Sequence, residues 1–332
     1  MRKWFRGRKQ LRHALIIKDH VIRYVQCRGP QLDQIERLEE RYLPQGIIDK
    51  GKMVERETVS MIVKECVERW GIARAAVQFC VPDAFVTIRS HHVDGNVPDD
   101  EIKGELYLSL GETLHLPFDD PIFDYKVLDT KARQKQVLLV AAPESMIMEY
   151  EELLREVSLK PIAFDLTSLC LYRLAEAYEQ IQRDDHVLFL QYDITAYNVT
   201  IFHREIPVFT RHFQIELDRR EWKQLPDAKG YHFSGEQRGL EVEFDQVLNE
   251  LERMITFYQF SVQKGQTGVD ALYIFGDFPY LEQFFERLEK RIDLSCQFMK
   301  PVQTECGSID VVPLRFYENL GLVLKKEVQE WR

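Results

Sequence analysis

The sequence predicts a mixed α/β protein built from two similar domains that face a cleft. The main observation is a repeated order of elements, in which strands are followed by an amphipathic helix near residues 14–70 and again near 187–262. A length of 332 residues is sufficient for about two domains with complete cores. The repeat lies in the order of the elements, because no repetition of the sequence itself is detectable.

Composition limits the function classes. Hydrophobic residues make up 45% and charged residues 30%, which is typical of a soluble globular protein. The formal net charge of -10 argues against general nucleic-acid binding, which needs a basic surface. The six cysteines form no CxxC pair, so the sequence favours buried, reduced thiols of a cytosolic protein over a zinc site.

The first domain is predicted to open with strands at 14–17 and 21–25 and a helix from Val59 to Trp70. The stretch Leu32–Tyr42 fits either a helix or a third strand. Residues 84–160 then form a compact unit of their own, with strands, a helix that opens at Pro98 and continues to Leu114, and a second helix that opens at Pro143. We therefore predict domains at 1–83 plus 161–183, an inserted subdomain at 84–160, and a second domain at 184–332.

The second domain contains the most informative segment, which reaches from Asp193 to Phe202 after the apolar run Val187–Leu190. An acidic residue at the end of a buried strand, followed by small hydroxyl residues in a hairpin, is typical of folds that hold nucleotide phosphates. Residues 218–243 are charged and weakly patterned and are predicted to be loop or edge structure. A strong amphipathic helix follows, with its apolar face running from Val247 to Tyr258.

Five segments in the right order resemble the PilM family of type IV pilus assembly proteins, which are actin-like and related to FtsA. The segments are 43–49, 116–128, 163–169, 250–258 and 319–322. This resemblance covers most of the chain. It implies an actin-like fold of duplicated ribonuclease-H-like domains, with a small α+β subdomain inserted in the first domain.

An actin-like nucleotide site needs two glycine-containing hairpins, because glycine adopts positive φ and lets backbone N–H groups approach phosphate oxygens. The first hairpin offers Lys18 and Asp19 but no glycine. The second keeps Asp193, the candidate Mg²⁺ residue, but has Thr195 where glycine is expected. Asp193 could instead be an acid that stabilises a turn.

The resemblance implies three residues for the part of the site that would hold adenosine. Gly276 is the one glycine left of an expected pair, and Glu250 and Arg253 are spaced three apart on one face of a helix. Glu250 and Arg253 could bracket a ribose or adenine, or they could form a surface ion pair that contributes little to stability. The loss of glycine from both hairpins favours a site without a cofactor, with ATP and Mg²⁺ as the alternative.

The resemblance also implies a partner, the cytoplasmic N-terminal tail of a PilN-like membrane protein. The tail is expected in a groove between the first domain and the insert, near Phe85, Thr87 and Arg89. Residues 2–12 combine six basic residues with Trp4 and Phe5, so they are either a frayed terminus or a contact with anionic membrane.

The predicted function is therefore a cytoplasmic adaptor of type IV pilus assembly or of a related secretion machine, peripheral at the inner face of the plasma membrane and without enzymatic activity. Two alternatives stay open. One is an actin-superfamily protein that binds or hydrolyses ATP, for which nothing marks a general base. The other is a protein that oligomerises into filaments at the membrane.

Overall fold

The structure is a computed structural model that describes residues 11–29, 32–131, 133–225, 230–303 and 311–325. The helices are α1 (Arg56–Arg69), α2 (Ile102–Leu108), α3 (Glu144–Glu156), α4 (Thr167–Ala177), α5 (Gln237–Phe257), α6 (Leu281–Arg291) and α7 (Tyr317–Val323). The strands of the first half are β1 (Leu11–Ile17), β2 (Val21–Arg28), β3 (Ile35–Tyr42), β4 (Ile48–Asp49), β5 (Lys52–Met53), β6 (Ala76–Cys80), β7 (Thr87–Asp94), β8 (Pro121–Lys131), β9 (Gln134–Pro143) and β10 (Lys160–Asp165). The strands of the second half are β11 (His186–Tyr192), β12 (Ala196–His203), β13 (Ile206–Gln214), β14 (Trp222–Gln224), β15 (Tyr231–Phe233), β16 (Ala271–Phe275), β17 (Ser295–Phe298), β18 (Val302–Gln303) and β19 (Val311–Val312).

Two five-stranded sheets share one topology. The first has the order β10-β6-β1-β2-β3, and the second has the order β17-β16-β11-β12-β13. In each sheet the first three strands along the chain pair antiparallel, and the two later strands join in parallel. The predicted duplication of an α/β domain is therefore confirmed, and each sheet with its helices is called a lobe below.

The core is layered because alternate residues of each strand point to opposite faces of the sheet. Leu15 and Ile17 of β1 face α1 and α3, whereas Ala14 and Ile16 face α4 and α7. The second sheet contributes its own apolar face to the same central layer and packs its other face on α5 and α6. Helices α4 and α7 therefore lie between the two sheets, and all seven residues of α7 are buried.

The insert consists of the three-stranded sheet β7-β9-β8 with helix α2 on one face. Helix α3 follows β9 but packs its apolar side chains, among them Tyr150 and Leu153, into the core of the first lobe. These elements fall within the range predicted for the inserted subdomain, and the exact domain limits stay a prediction.

Two element predictions need correction. The helix predicted from Pro98 to Leu114 is only the short α2, because Gly111 adopts a left-handed φ of +79° and the chain turns there. For residues 218–243, predicted to be loop or edge structure, the short antiparallel pair β14–β15 agrees with the prediction. The first two turns of α5 also fall in this range and contradict it, since Leu240 is buried in the core of the second lobe. For Leu32–Tyr42, the strand alternative is correct, after a short 3₁₀ turn.

Helices α4 and α7 cross at a point where only glycine fits. A Cβ atom on Gly321 of α7 would lie 1.9 Å from the carbonyl oxygen of Cys170 in α4. Gly104 in α2 is also helical, but a Cβ atom there would meet nothing within 4 Å. Alanine substitutions at these two glycines therefore distinguish the effect of close packing from the effect of helix propensity.

We predict that Gly321→Ala destabilises the protein by about 1–3 kcal/mol or more, because the methyl group forces the two central helices apart. Gly104→Ala should stabilise it by roughly 0.5–1 kcal/mol, because alanine is the better helix former. Urea unfolding of the two variants measures both changes. A neutral Gly321→Ala would mean that α4 and α7 do not approach this closely.

Candidate functional site

The two hairpins that the sequence singles out face each other across the cleft between the lobes. The β1–β2 turn carries Lys18 and Asp19, and the β11–β12 turn carries Asp193 and Thr195. All four residues line one cavity of about 50 Å³, called the interdomain cavity. The structure thus brings together the four hairpin residues that the sequence predicted as a site.

The Lys18 side chain crosses from the first lobe into the interdomain cavity. Its Nζ donates hydrogen bonds of 2.6 Å to Asp193 Oδ2 in the second lobe and 2.6 Å to Glu318 Oε1 in α7. Burial by itself would lower the pKa of Lys18, but the charges of Asp193 and Glu318 outweigh this and raise the pKa above its usual value. Burial raises the pKa of the Glu318 carboxyl to about 7, with Lys18 acting in the opposite direction.

A second buried cluster lies beside the first, around Asp277. Its Oδ2 accepts a hydrogen bond of 2.5 Å from Arg23 Nη2 and lies 2.6 Å from His20 Nε2, and both of these residues belong to the first lobe. Burial tends to raise the pKa of Asp277, but His20 and Arg23 outweigh it and hold the pKa well below its usual range. The backbone N–H of Asp277 also donates to Asp193 Oδ1 at 3.1 Å, which joins the two clusters.

Asp19 binds its own chain. Its two carboxylate oxygens accept hydrogen bonds from the backbone N–H groups of Lys50 and Gly51, at 2.7 and 2.8 Å. Arg219 of the second lobe adds an ion pair at 3.3 Å. Asp19 therefore anchors the β4–β5 turn and contributes a further contact between the lobes.

Gly276 is required by packing. Its φ is +114°, and a Cβ atom there would lie 2.0 Å from the carbonyl oxygen of Tyr192. That carbonyl accepts the N–H of Phe278 at 3.1 Å. The close approach of β16 to β11 by itself explains this glycine.

Glu250 and Arg253 lie apart from the other predicted site residues. They pair with each other at 2.5 Å and line a groove of about 740 Å³ between β13 and α5. Neither lines the interdomain cavity. Gln214 lines both this groove and the interdomain cavity, so the two are neighbours, and a role for Glu250 and Arg253 in cofactor binding stays a prediction.

Sequence reasoning missed four residues of the site, which are His20, Arg23, Asp277 and Glu318. Two of them carry a signal in the sequence. Asp277 follows the buried strand β16 directly after Gly276, much as Asp193 follows β11, and parallel strands end at the same edge of a sheet. Glu318 is a single carboxylate in an otherwise uncharged helix. Arg23 and His20 look like ordinary residues of a hairpin.

The hairpin part of the predicted nucleotide site is small and already carries both signs of charge, and whether a nucleotide binds stays a prediction. Ligand sites for small molecules measure roughly 300–1,000 Å³, whereas the interdomain cavity measures about 50 Å³. Lys18 already neutralises Asp193, the residue predicted to position Mg²⁺. No group of three or more His, Cys, Asp or Glu residues in the described ranges could hold a metal ion, and Asp193 as a metal residue stays a prediction.

The residues predicted to contact a partner divide between two places. Thr87 and Arg89 line a cavity of about 260 Å³ between β7 of the insert, the start of α4 and strands β12 and β13 of the second lobe. We call it the insert cavity. Phe85 instead packs near Gly51, against the core of the first lobe and against the small apolar cluster where the insert joins that lobe.

One hydrogen-bonded wall separates the insert cavity from the interdomain cavity. Asp83 accepts hydrogen bonds from Thr167 Oγ1 at 2.5 Å and from Asn198 Nδ2 at 2.9 Å, and Asn198 Oδ1 lies 2.7 Å from His212 Nδ1. All four residues line both cavities. Burial raises the pKa of Asp83, although Thr167 and Lys18 oppose the shift.

Most of the predicted membrane contact, residues 2–12, lies outside the described residues. Arg12 is described, and its guanidinium donates hydrogen bonds to the carbonyl oxygens of Val323 and Lys325 at 2.7 and 2.6 Å. Among the described residues, no helix is both long enough and apolar enough to cross a bilayer.

Sequence and fold comparisons agree with each other. The family of type IV pilus assembly protein PilM matches residues 17–216. No curated protein matches the chain. The fold is similar to that in the PilM-PilN type IV pilus biogenesis complex, with a TM-score of 0.75 and 16% identity over 95% of this chain and 98% of that chain. It is also similar to ethanolamine utilization protein EutJ from Carboxydothermus hydrogenoformans, with a TM-score of 0.53 and 10% identity over 95% and 90% of the two chains.

The predicted actin-like fold, with its two lobes of equal topology, is therefore confirmed. The family match spans more than half of the 332 residues and includes the turn of the first hairpin, the whole insert and the second hairpin. The chain belongs to the PilM family of type IV pilus assembly proteins.

Proposed function

We propose that this protein is a non-catalytic adaptor of type IV pilus assembly, which binds the cytoplasmic tail of a PilN-like membrane protein through the insert cavity. It works at the inner face of the plasma membrane, where that tail emerges. The observation that carries the proposal is a docking cavity of about 260 Å³ beside an interdomain cavity of only about 50 Å³. This pair of cavities supports docking of a peptide better than it supports phosphoryl transfer.

Two further observations support docking in the insert cavity. The structure that this chain resembles over 95% of its length is that of a PilM-PilN complex. The cavity itself mixes apolar side chains, such as Val86 and Ile88, with hydroxyl groups and two arginines. Such a lining suits an extended peptide that presents both kinds of side chain.

Loss of the nucleotide function is supported by the ion pairs in the interdomain cavity. Lys18 takes the place of an external cation at Asp193, and Thr195 stands where a phosphate hairpin needs glycine. Three ion pairs, centred on Asp19, Asp193 and Asp277, hold the lobes together. A bound triphosphate would have to break several of them.

We predict that a synthetic peptide of the N-terminal 15 or so residues of the cognate PilN-like protein binds the wild-type chain at micromolar concentration by calorimetry. Thr87→Tyr should weaken this binding at least tenfold, because the larger side chain fills the insert cavity. His92→Tyr is the matched control, since His92 is exposed on the same strand and does not line the cavity. Absence of heat with the wild type up to high micromolar peptide would count against the docking function.

A second prediction concerns the nucleotide. ATP with Mg²⁺ at 1 mM should not raise the melting temperature above that measured with MgCl₂ alone, because the cavity is too small and already charge-balanced. A saturable rise corresponding to a Kd below about 0.1 mM would add more than 1 kcal/mol to the free energy of unfolding. Such a rise would favour the ATP-binding alternative.

A third prediction tests whether Lys18 holds the lobes together. Lys18→Met should destabilise the protein by about 3–5 kcal/mol at pH 8, because Asp193 and Glu318 are left buried without their cation. A carboxyl group whose pKa is raised by folding stabilises the folded state while it is protonated. This stabilisation is complete below the pKa of the unfolded state and is lost as the pH rises through the pKa of the folded state. With the Glu318 pKa at about 7 even in the wild type, the loss should be smaller at pH 5.

Lys103→Met is the control for this variant, because Lys103 is exposed on α2. It should change the free energy of unfolding by less than about 0.5 kcal/mol at either pH. Equal losses for Lys18→Met at pH 5 and pH 8 would show that the carboxylates are not the origin of the effect.

A further inference from the structure

Two arginines without ion-pair partners border the insert cavity. Arg89 comes from β7 of the insert, and Arg211 comes from β13 of the second lobe. Neither forms a salt bridge or a hydrogen bond through its side chain with any residue in the described ranges, and the contact given for Arg211 is with the ring of Phe209, 5.9 Å from its centre. The two arginines thus border one cavity in a chain whose net charge is -10, and Arg211 also lines the groove between β13 and α5.

The other polar groups of the cavity offset only part of the positive charge of these arginines. Its acidic residue, Asp83, supplies a single carboxyl group, which accepts hydrogen bonds from Thr167 and Asn198 in the wall between the cavities. The hydroxyl groups of Thr200 and Thr210 pair with each other at 2.8 Å. Helix α4 begins at this cavity without a side-chain cap, so its first N–H groups add a small positive potential.

Apolar side chains lie next to the arginines. Val86, Ile88 and Leu166 line the same cavity. A group that binds there is partly removed from water, which strengthens its hydrogen bonds to a guanidinium. A carboxylate is the anion that an unmodified peptide can supply, and its two oxygens match the fork of an arginine.

Building on the docking function above, we propose that the insert cavity holds an acidic side chain, Asp or Glu, of the docked tail between Arg89 and Arg211. The acidic residue is flanked by an apolar residue of the tail that contacts Val86 and Ile88. Because one arginine belongs to the insert and the other to the second lobe, the bound carboxylate ties these two parts of the molecule together.

The test measures binding of the N-terminal peptide of the PilN-like protein to the full-length chain by calorimetry. Two peptides are compared, the native one and one in which every Asp and Glu is replaced by Asn and Gln. Arg89→Gln and Arg211→Gln should each weaken binding of the native peptide roughly tenfold, and the amide peptide should lose a similar factor with the wild type. Arg238→Gln, at an exposed site on α5, is the control and should leave the binding unchanged.

The remaining outcomes each overturn the proposal. Native and amide peptides that bind equally well, with no effect of either glutamine variant, would remove the acidic contact and leave the docking function standing. A peptide that does not bind the wild type at all would reject both proposals. Inorganic phosphate that binds the wild type but neither glutamine variant, with unchanged peptide binding, would assign the arginines to a free anion.

Discussion

Among the ion pairs that hold the lobes together, those of the Lys18 ammonium group have a central place in this molecule. The ammonium group lies between Asp193 of the second lobe and Glu318 of the central helix α7, so it joins three layers of the fold. Removing these charges from water is costly, and only close pairing with additional hydrogen bonds compensates for the loss of hydration. Asp193 receives such bonds from Gln191 and from the backbone of Asp277.

The same arrangement places both signs of charge on the hairpins of an actin-like fold. In such folds the two hairpins approach each other around phosphate and metal charges. Here the side chains of the hairpins carry both signs of charge themselves, with Lys18 and Arg23 on one side and Asp193 and Asp277 on the other. The lobes therefore contact each other directly at the hairpins, and the interdomain cavity between them measures about 50 Å³.

The proposed docking cavity is physically connected to this closed cleft. Asp83, Thr167, Asn198 and His212 form the wall that both cavities share. Gln191 extends the network, since its side-chain amide lies 3.0 Å from Asp193 and 3.4 Å from Asp83. Asp83, which lines the insert cavity, is thus two hydrogen bonds away from the pair that Lys18 forms with Asp193.

The sequence by itself determined the fold class, the duplicated order of elements and the loss of hairpin glycines, because periodicity and turn chemistry are local properties. It also identified Lys18, Asp19, Asp193 and Thr195, which lie together, since strand ends mark the edge of a sheet. Only the tertiary structure determined which charged side chains form ion pairs. Glu318 is 300 residues from Lys18 along the chain. Glu250 and Arg253 line the neighbouring groove rather than the interdomain cavity, and their spacing on a helix says nothing about what that face contacts. Such pairings depend on how the layers pack, and no pattern of neighbouring residues encodes that.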